Sequence, residues 1–99
     1  MTEKEYFLRS SSSSCPDILL KPGIEVILGR GPITGITDSR LSRRHVRVIL
    51  EKDLSVSVTQ LGPNHSRVNG KELFLGSKSH LQQGKVIKVR PNKYVYNFC

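Results

Sequence analysis

Apolar residues in this chain occur in short, β-branched runs, and clusters of turn residues separate one run from the next. No stretch keeps a helical period, whereas alternation of apolar and polar residues is typical of strands that bury one face. We therefore predict strands over Glu5–Arg9, Asp17–Leu20, Glu25–Leu28, His45–Leu50, Ser55–Gln60, Glu72–Leu75, Val86–Val89 and Tyr94–Phe98.

The alternation also predicts which side chains face the core. The residues expected to point inward are Val46, Val48, Leu50, Val56, Val58, Tyr94, Tyr96 and Phe98. The two serines of the Ser55–Gln60 run, Ser55 and Ser57, are expected to point outward.

Turn residues define the connections between the strands. The serine run Ser10–Ser14 is predicted to be a loop, Lys21–Gly23 a turn, and Glu51–Leu54 a tight hairpin loop. Asn69-Gly70 is a strong hairpin signal in its own right. Short strands joined in this way indicate an all-β sandwich or barrel, and residues 1–99 suffice for a single domain.

One connection is unusually long. Gly29–Arg44 spans about sixteen residues with little strand character, and structureless links of that length in compact domains are usually functional or disordered. Because arginines and serines stand close to its ends, we predict that this loop is functional.

Composition narrows the class of protein. The chain has no apolar run long enough to span a membrane, and the start of the chain does not resemble a secretory signal. Cys15 and Cys99 are therefore expected to be free thiols in an intracellular protein. The formal charge of +8 favours an anionic partner, which is nucleic acid, a phosphorylated or acidic protein, or an anionic membrane surface.

The ends of the long loop carry the candidate chemistry. Arg30 directly follows a strand, so the sheet holds its base while the guanidinium reaches over the loop. A guanidinium matches phosphate oxygens two at a time, Ser42 can donate a hydroxyl hydrogen bond, and Arg43 adds a second cation. These three residues are the predicted phosphate-binding set.

Other chemistries find less support. Ser42 and His45 lack an orienting acid at a recognisable spacing, and Asp38 is better explained as a turn residue. The histidines and cysteines show no metal-ligand spacing, and Gly29, Gly31 and Gly35 do not form a dinucleotide fingerprint. We therefore predict neither an enzyme nor a metal or cofactor site, and we expect His45 to order the loop.

An ordered set of motifs resembles the forkhead-associated (FHA) domain. The motifs are Gly29-Arg30, Ser42 to His45, and the block with Asn64, Ser66, Asn69 and Gly70, followed by Leu81 to Ile87. A narrower resemblance, over Leu28 to Asp38, Ser42-Arg43 and Leu61 to Asn64, is to the N-terminal FHA domains of polynucleotide kinase 3′-phosphatase, aprataxin, and aprataxin-and-kinase-like factor. Like those, the chain is expected to be the front of a longer protein.

The resemblance implies a β-sandwich of about eleven strands, with functional loops at one end, that binds phosphothreonine in acidic segments of DNA strand-break repair scaffold proteins. It implies a monomeric nuclear module without cofactors. The implied phosphate contacts are Arg30, Ser42 and Arg43, the peptide contacts are Asn64, Arg40, Arg44 and Ser66, and the loop-ordering residues are Gly29, His45, Asn69 and Gly70. Arg40 and Arg44 would meet acidic residues of the peptide and so explain the net charge.

Two departures from the family pattern fall outside the phosphate set. His65 stands where a glycine is usual, and Lys85 replaces a common aspartate.

The alternative function is a basic nucleic-acid-binding β domain, which only the net positive charge supports.

Overall fold

A computed structural model describes residues 5–12, 15–63, 66–90 and 94–99, with only the backbone at Arg90. The described residues form ten strands and no helix. None of them belongs to a helix long and apolar enough to cross a membrane. The strands are β1 (Tyr6–Ser10), β2 (Ile18–Leu20), β3 (Glu25–Leu28), β4 (Val46–Leu50), β5 (Val56–Gln60), β6 (Ser66–Val68), β7 (Lys71–Leu73), β8 (Lys78–Leu81), β9 (Val86–Arg90) and β10 (Tyr94–Phe98).

The strands form two antiparallel sheets. One sheet has six strands in the order β2-β1-β10-β9-β6-β7, and the other has four in the order β3-β4-β5-β8. This arrangement confirms the predicted all-β sandwich, with ten strands in the described part of the chain against the eleven or so that the resemblance implies.

The core lies between the sheets and follows the predicted alternation. Val46, Val48 and Leu50 of β4 are fully buried, and Tyr96 and Phe98 of β10 face them from the other sheet. Further buried residues are Leu8, Ile18, Leu20, Leu28, Val56, Val58, Val68, Leu73, Leu81, Ile87 and Val89. Both cysteines are free thiols, as predicted.

Local turn chemistry accounts for two connections. In the turn before β3, Ile24 N donates to Lys21 O at 3.0 Å, and Gly23 has a φ of 78°, which a side chain would disfavour. In the β6–β7 hairpin, Asn69 and Gly70 have φ values of 50° and 82°, the left-handed pair that a two-residue hairpin turn requires.

The serines of β5 and its approach, predicted to point outward, are nevertheless shielded from solvent. Ser55 and Ser57 are 6% and 3% exposed. Ser57 Oγ donates to Glu51 Oε1 at 2.7 Å, and Ser55 Oγ donates to Asp53 Oδ1 at 2.6 Å. The hydrogen bonds from Ser55 lower the pKa of the Asp53 carboxyl. Carboxylates from the β4–β5 turn thus cover hydroxyls that alternation alone assigns to solvent.

The predicted strand Glu72–Leu75 is too long, because β7 ends at Leu73 and Phe74 and Leu75 lie in an exposed turn. Sequence reasoning also missed β6 and β8. Both strands are short, and in β8 three polar residues precede the single buried Leu81, so neither produces an apolar run.

The strand directions place the long β3–β4 connection at one end of the sandwich. We call this the loop end, and define it by the end of β3 at Leu28, the start of β4 at Val46 and the end of β5 at Gln60. The turns 21–24, 51–55 and 82–85 lie at the opposite end.

We expect Tyr96→Phe to leave stability at neutral pH unchanged or raise it by up to about 1 kcal/mol, since the Tyr96 hydroxyl is buried without a hydrogen-bond partner among the described residues. Burial, with smaller contributions from Cys15 and Tyr94, raises the pKa of Tyr96 to about 12. The unfolded chain therefore ionises first, near pH 10, and stability falls as the pH rises from about 10 to about 12. Urea unfolding across this range should show a shallower fall for Tyr96→Phe; the same fall in both proteins would contradict the account.

Candidate functional site

The two arms of the β3–β4 connection lie side by side. Arg30 N donates to Ser42 O at 3.1 Å, and His45 N donates to Leu28 O at 3.2 Å. A Cβ on Gly29 would overlap the backbone oxygens of Ser42 and Arg43. A glycine is therefore required where the outgoing arm of the loop crosses the returning arm.

Buried residues hold the loop against the core. The Thr34 hydroxyl donates to the carbonyl oxygen of Gly29 and accepts from Ile36 N at 3.2 Å. Thr34, Ile36 and Leu41 are 1%, 2% and 1% exposed. The loop is thus a packed structure, although its sequence has little strand or helix character.

Arg30, Ser42 and Arg43 meet where the two arms touch. Arg30 Nε is buried and has no hydrogen-bond partner among the residues that the structure describes. Clefts of about 530 and 240 Å³ open beside the two arginines, and both Arg30 and Arg43 line each cleft. A buried cationic donor without an acceptor is costly, so this site is suited to an anion that accepts from Arg30.

The β5–β6 connection is fixed against this site through His45. Leu61 N and Gly62 N both donate to His45 O, at 2.9 and 3.0 Å, and Gln60 Nε2 donates to Gly62 O at 2.8 Å. A Cβ on Gly62 would come within 2.9 Å of His45 Nδ1 and 3.0 Å of Ser42 Oγ. His45 itself is fully buried, a position consistent with the loop-ordering role expected of it.

The predicted peptide contact Asn64 and its neighbour His65 lie outside the described residues. Asn64 follows Gly62 by two positions along the chain. The hydrogen bonds to His45 therefore fix where the segment leading to Asn64 leaves the site.

The two flanking arginines are exposed and have acidic neighbours within the chain. Arg40 Nε lies 3.2 Å from Asp38 Oδ1, and Arg44 Nη2 lies 3.6 Å from Glu25 Oε1. Asp38 Oδ1 also accepts from Arg40 N at 3.0 Å, which confirms Asp38 as a turn residue. The Arg44–Glu25 pair is exposed on both sides and contributes little, so an acidic peptide can compete for Arg44. The Asp38 carboxylate is only 7% exposed, whereas the Arg40 side chain beside it is exposed to a bound peptide.

The structure corrects the role predicted for Ser66. Its side chain is fully buried, and Ser66 Oγ donates to Val89 O at 3.1 Å. The hydroxyl therefore joins β6 to β9 inside the molecule, and a direct contact with a bound peptide is at odds with this burial.

We expect Ser66→Ala to lower the free energy of unfolding by roughly 0.5–1.5 kcal/mol, because Val89 O loses its buried donor. Peptide affinity should stay within a factor of two of the parent. Chemical denaturation and a peptide titration on the same sample check both expectations. A large loss of affinity with unchanged stability would restore Ser66 to the peptide-contacting set.

Asn69 and Gly70 form the β6–β7 hairpin turn, as their sequence predicts, and the loop that they order is this turn. Their turn lies at the far end of the β6–β7 hairpin from Ser66 and the β5–β6 connection. Asn69 N donates to Val86 O at 2.9 Å. These two residues close a hairpin and fasten it to β9, away from the site.

Sequence reasoning missed Thr34 and Gly62. A threonine flanked by turn residues is a common local hydrogen-bonding motif, and this was the available signal for Thr34. A glycine such as Gly62, between an apolar residue and Pro63, can mark a place where another part of the chain packs closely against the backbone. Here the neighbour is His45, which is distant in sequence and so not evident from the local pattern.

Within the described residues no three histidine, cysteine or acidic side chains are grouped to hold a metal.

Comparison with known families gives one match over most of the chain. A family model described as the FHA domain matches residues 6–74.

Two curated proteins are similar in sequence. Aprataxin from Ciona intestinalis is 33% identical over 89 residues, which cover 89% of this chain and 23% of that protein. The human aprataxin and PNK-like factor is 35% identical over 81 residues, which cover 82% of this chain and 14% of that protein. The chain thus spans less than a quarter of the length of these relatives.

A solved structure shares the fold closely. It is the crystal structure of the FHA domain of human APLF in complex with an XRCC1 bisphospho peptide, with 26% sequence identity and a TM-score of 0.79. The alignment covers 96% of this chain and 97% of that one.

Proposed function

The chain belongs to the FHA domain family, and from that membership we propose that it binds a phosphothreonine peptide at the loop end of the sandwich. FHA domains are phosphopeptide-binding modules and not catalysts. The observation that carries the proposal is the buried Arg30 Nε without an acceptor, beside Ser42 and Arg43 at the meeting of two clefts.

Each residue has a distinct part in the proposed contact. Arg30 supplies paired guanidinium donors on a base fixed by the end of β3, so little side-chain freedom is lost on binding. Ser42 donates its hydroxyl to a second phosphate oxygen. Arg43, which is exposed, adds charge from the other side, and Asn64 holds the peptide backbone.

The proposed peptide is acidic around the phosphothreonine. Arg44 exchanges its exposed partner Glu25 for an acidic residue of the peptide, and the exposed Arg40 side chain meets another while it stays beside the buried Asp38 carboxylate. The similarity to aprataxin and to the human aprataxin and PNK-like factor, and the XRCC1 peptide bound by the latter's FHA domain, support a DNA strand-break repair scaffold as the source. A monomeric module working in the nucleus in the DNA damage response fits this proposal.

A chemical-shift titration tests where the peptide binds. The ¹⁵N-labelled domain is titrated with an acidic phosphothreonine peptide and, in parallel, with its unphosphorylated twin. We expect the largest shifts at the amides of Arg30, Ser42 and Arg43, and none at the opposite-end turn 51–55. Shifts centred away from the loop end, or equal shifts with both peptides, would refute the proposal.

A further inference from the structure

Most of the chain's positive charge lies outside the phosphate site. Sixteen lysines and arginines give a formal charge of +8. In the β3–β4 connection, however, Arg40 is paired with Asp38 and Arg44 with Glu25. Paired in this way, these two arginines add little to the net charge, and the remaining charge needs another explanation.

Part of that charge lies on the outer face of the six-stranded sheet. The basic side chains of Arg9, Arg67 and Lys88 point away from the core, because their neighbours along the strands are buried. Those buried neighbours are Leu8, Val68, Ile87 and Val89. We call this surface the outer face, and define it by Phe7, Arg9, Val86, Lys88, Val95, Asn97, Arg67 and Glu72.

Arg67 and Lys88 stand directly opposite each other on neighbouring strands of this face. Like charges in such a cross-strand pair destabilise a sheet. Neither side chain makes an ion pair with a residue in the described part of the chain. Glu72 is opposite Arg67 on the other side, and the exposed Asp17, whose Oδ1 accepts from Ser10 N at 2.9 Å, lies near Arg9 at the β2 edge of the sheet. The fold therefore maintains the Arg67–Lys88 like-charge pair at some cost to its own stability.

An aromatic ring lies beside this charge. The Arg9 guanidinium sits 5.2 Å from the centroid of the Phe7 ring, and Phe7 is only half-buried. Arg9 pairs across β1 and β10 with Asn97, so its strand is two strand spacings, about 10 Å, from that of Lys88. Cations spaced along a half-exposed aromatic surface match a strand of nucleic acid, whose phosphates they neutralise while a base stacks on the ring.

From this arrangement we infer that the outer face is a second binding surface, one that takes single-stranded nucleic acid through Arg9, Lys88, Arg67 and Phe7. The surface is separate from the loop-end phosphate site and does not depend on the function proposed there. Binding is salt-sensitive and largely independent of base sequence, because it rests on phosphate charge and one stacked ring.

Fluorescence anisotropy with a labelled mixed-sequence single-stranded DNA oligonucleotide tests this inference. The variants are the triple substitution Arg9→Ala, Arg67→Ala and Lys88→Ala, and a control that removes the same charge at the opposite-end turns, Lys21→Ala, Lys52→Ala and Lys85→Ala. With three phosphates contacted, affinity of the parent should fall about twenty-fold between roughly 50 and 200 mM salt.

The outer-face triple variant should bind the oligonucleotide at least tenfold more weakly, while the control triple variant stays within threefold of the parent. Phe7→Leu should weaken binding severalfold, and its salt dependence should stay that of the parent. All variants should bind the phosphothreonine peptide as the parent does. Equal losses in the two triple variants, no binding by the parent at low salt, or equal competition by duplex DNA would overturn the inference.

Discussion

Arg30→Ala is expected to weaken phosphothreonine-peptide binding about a hundredfold or more. Among the described residues of the site, the Arg30 guanidinium has a buried Nε without an acceptor. Each charge-assisted hydrogen bond contributes roughly 1.5–3 kcal/mol, so losing a bidentate pair removes about 3 kcal/mol or more. Isothermal titration calorimetry with one phosphopeptide measures the loss directly.

Two further variants make the result specific to Arg30. Arg30→Lys keeps the charge but loses the planar pair of donors, so its affinity should fall between those of the parent and Arg30→Ala. Lys52→Ala removes an exposed cation at the opposite end and should bind as the parent does. If Arg30→Ala bound within twofold of the parent, the phosphate site would lie elsewhere.

Gly29→Ala is expected to lower the free energy of unfolding by about 3 kcal/mol and to abolish detectable peptide binding. An added Cβ overlaps the backbone oxygens of Ser42 and Arg43, and backbone atoms cannot move aside as a flexible side chain can. Overpacking of this kind costs typically about 1–3 kcal/mol. The two arms of the loop must separate, which carries Ser42 and Arg43 away from Arg30.

Gly23→Ala provides the matched control. Gly23 has a φ of 78° but no atom within 4 Å of an added Cβ, so its substitution tests backbone strain without a clash. That strain costs about 1 kcal/mol. Urea denaturation and calorimetry should find Gly23→Ala modestly less stable and fully active in binding. If Gly29→Ala matched Gly23→Ala in both stability and peptide affinity, the crossing of the two arms would be unimportant.

Periodicity predicted the fold well where one face of a strand is buried. The alternation in β4 and β10 identified Val48 and Tyr96 as core residues, and both are buried. It failed at β8, where one buried leucine follows three polar residues, and at Ser57, which a carboxylate from the adjacent turn covers. In both cases a neighbouring element, and not the local pattern, determines the environment.

The candidate site could likewise be predicted in part from local sequence and in part not. Arg30 and Ser42 could be chosen from their residue types and their positions at the two ends of one loop. Their approach to each other depends on Gly29 and Thr34, which act through backbone contacts that no pattern of hydrophobicity records. Ser66 fits the family motif, yet its hydroxyl is used inside the sandwich.

In the proposed function, this domain recognises a phosphate group and not charge in general. Calorimetric titration with two acidic peptides that differ only in the phosphate on one threonine tests it most directly. We expect low-micromolar binding of the phosphorylated peptide and affinity at least a hundredfold weaker, by about 3 kcal/mol, for its unphosphorylated twin. Equal affinity for the two peptides would contradict it.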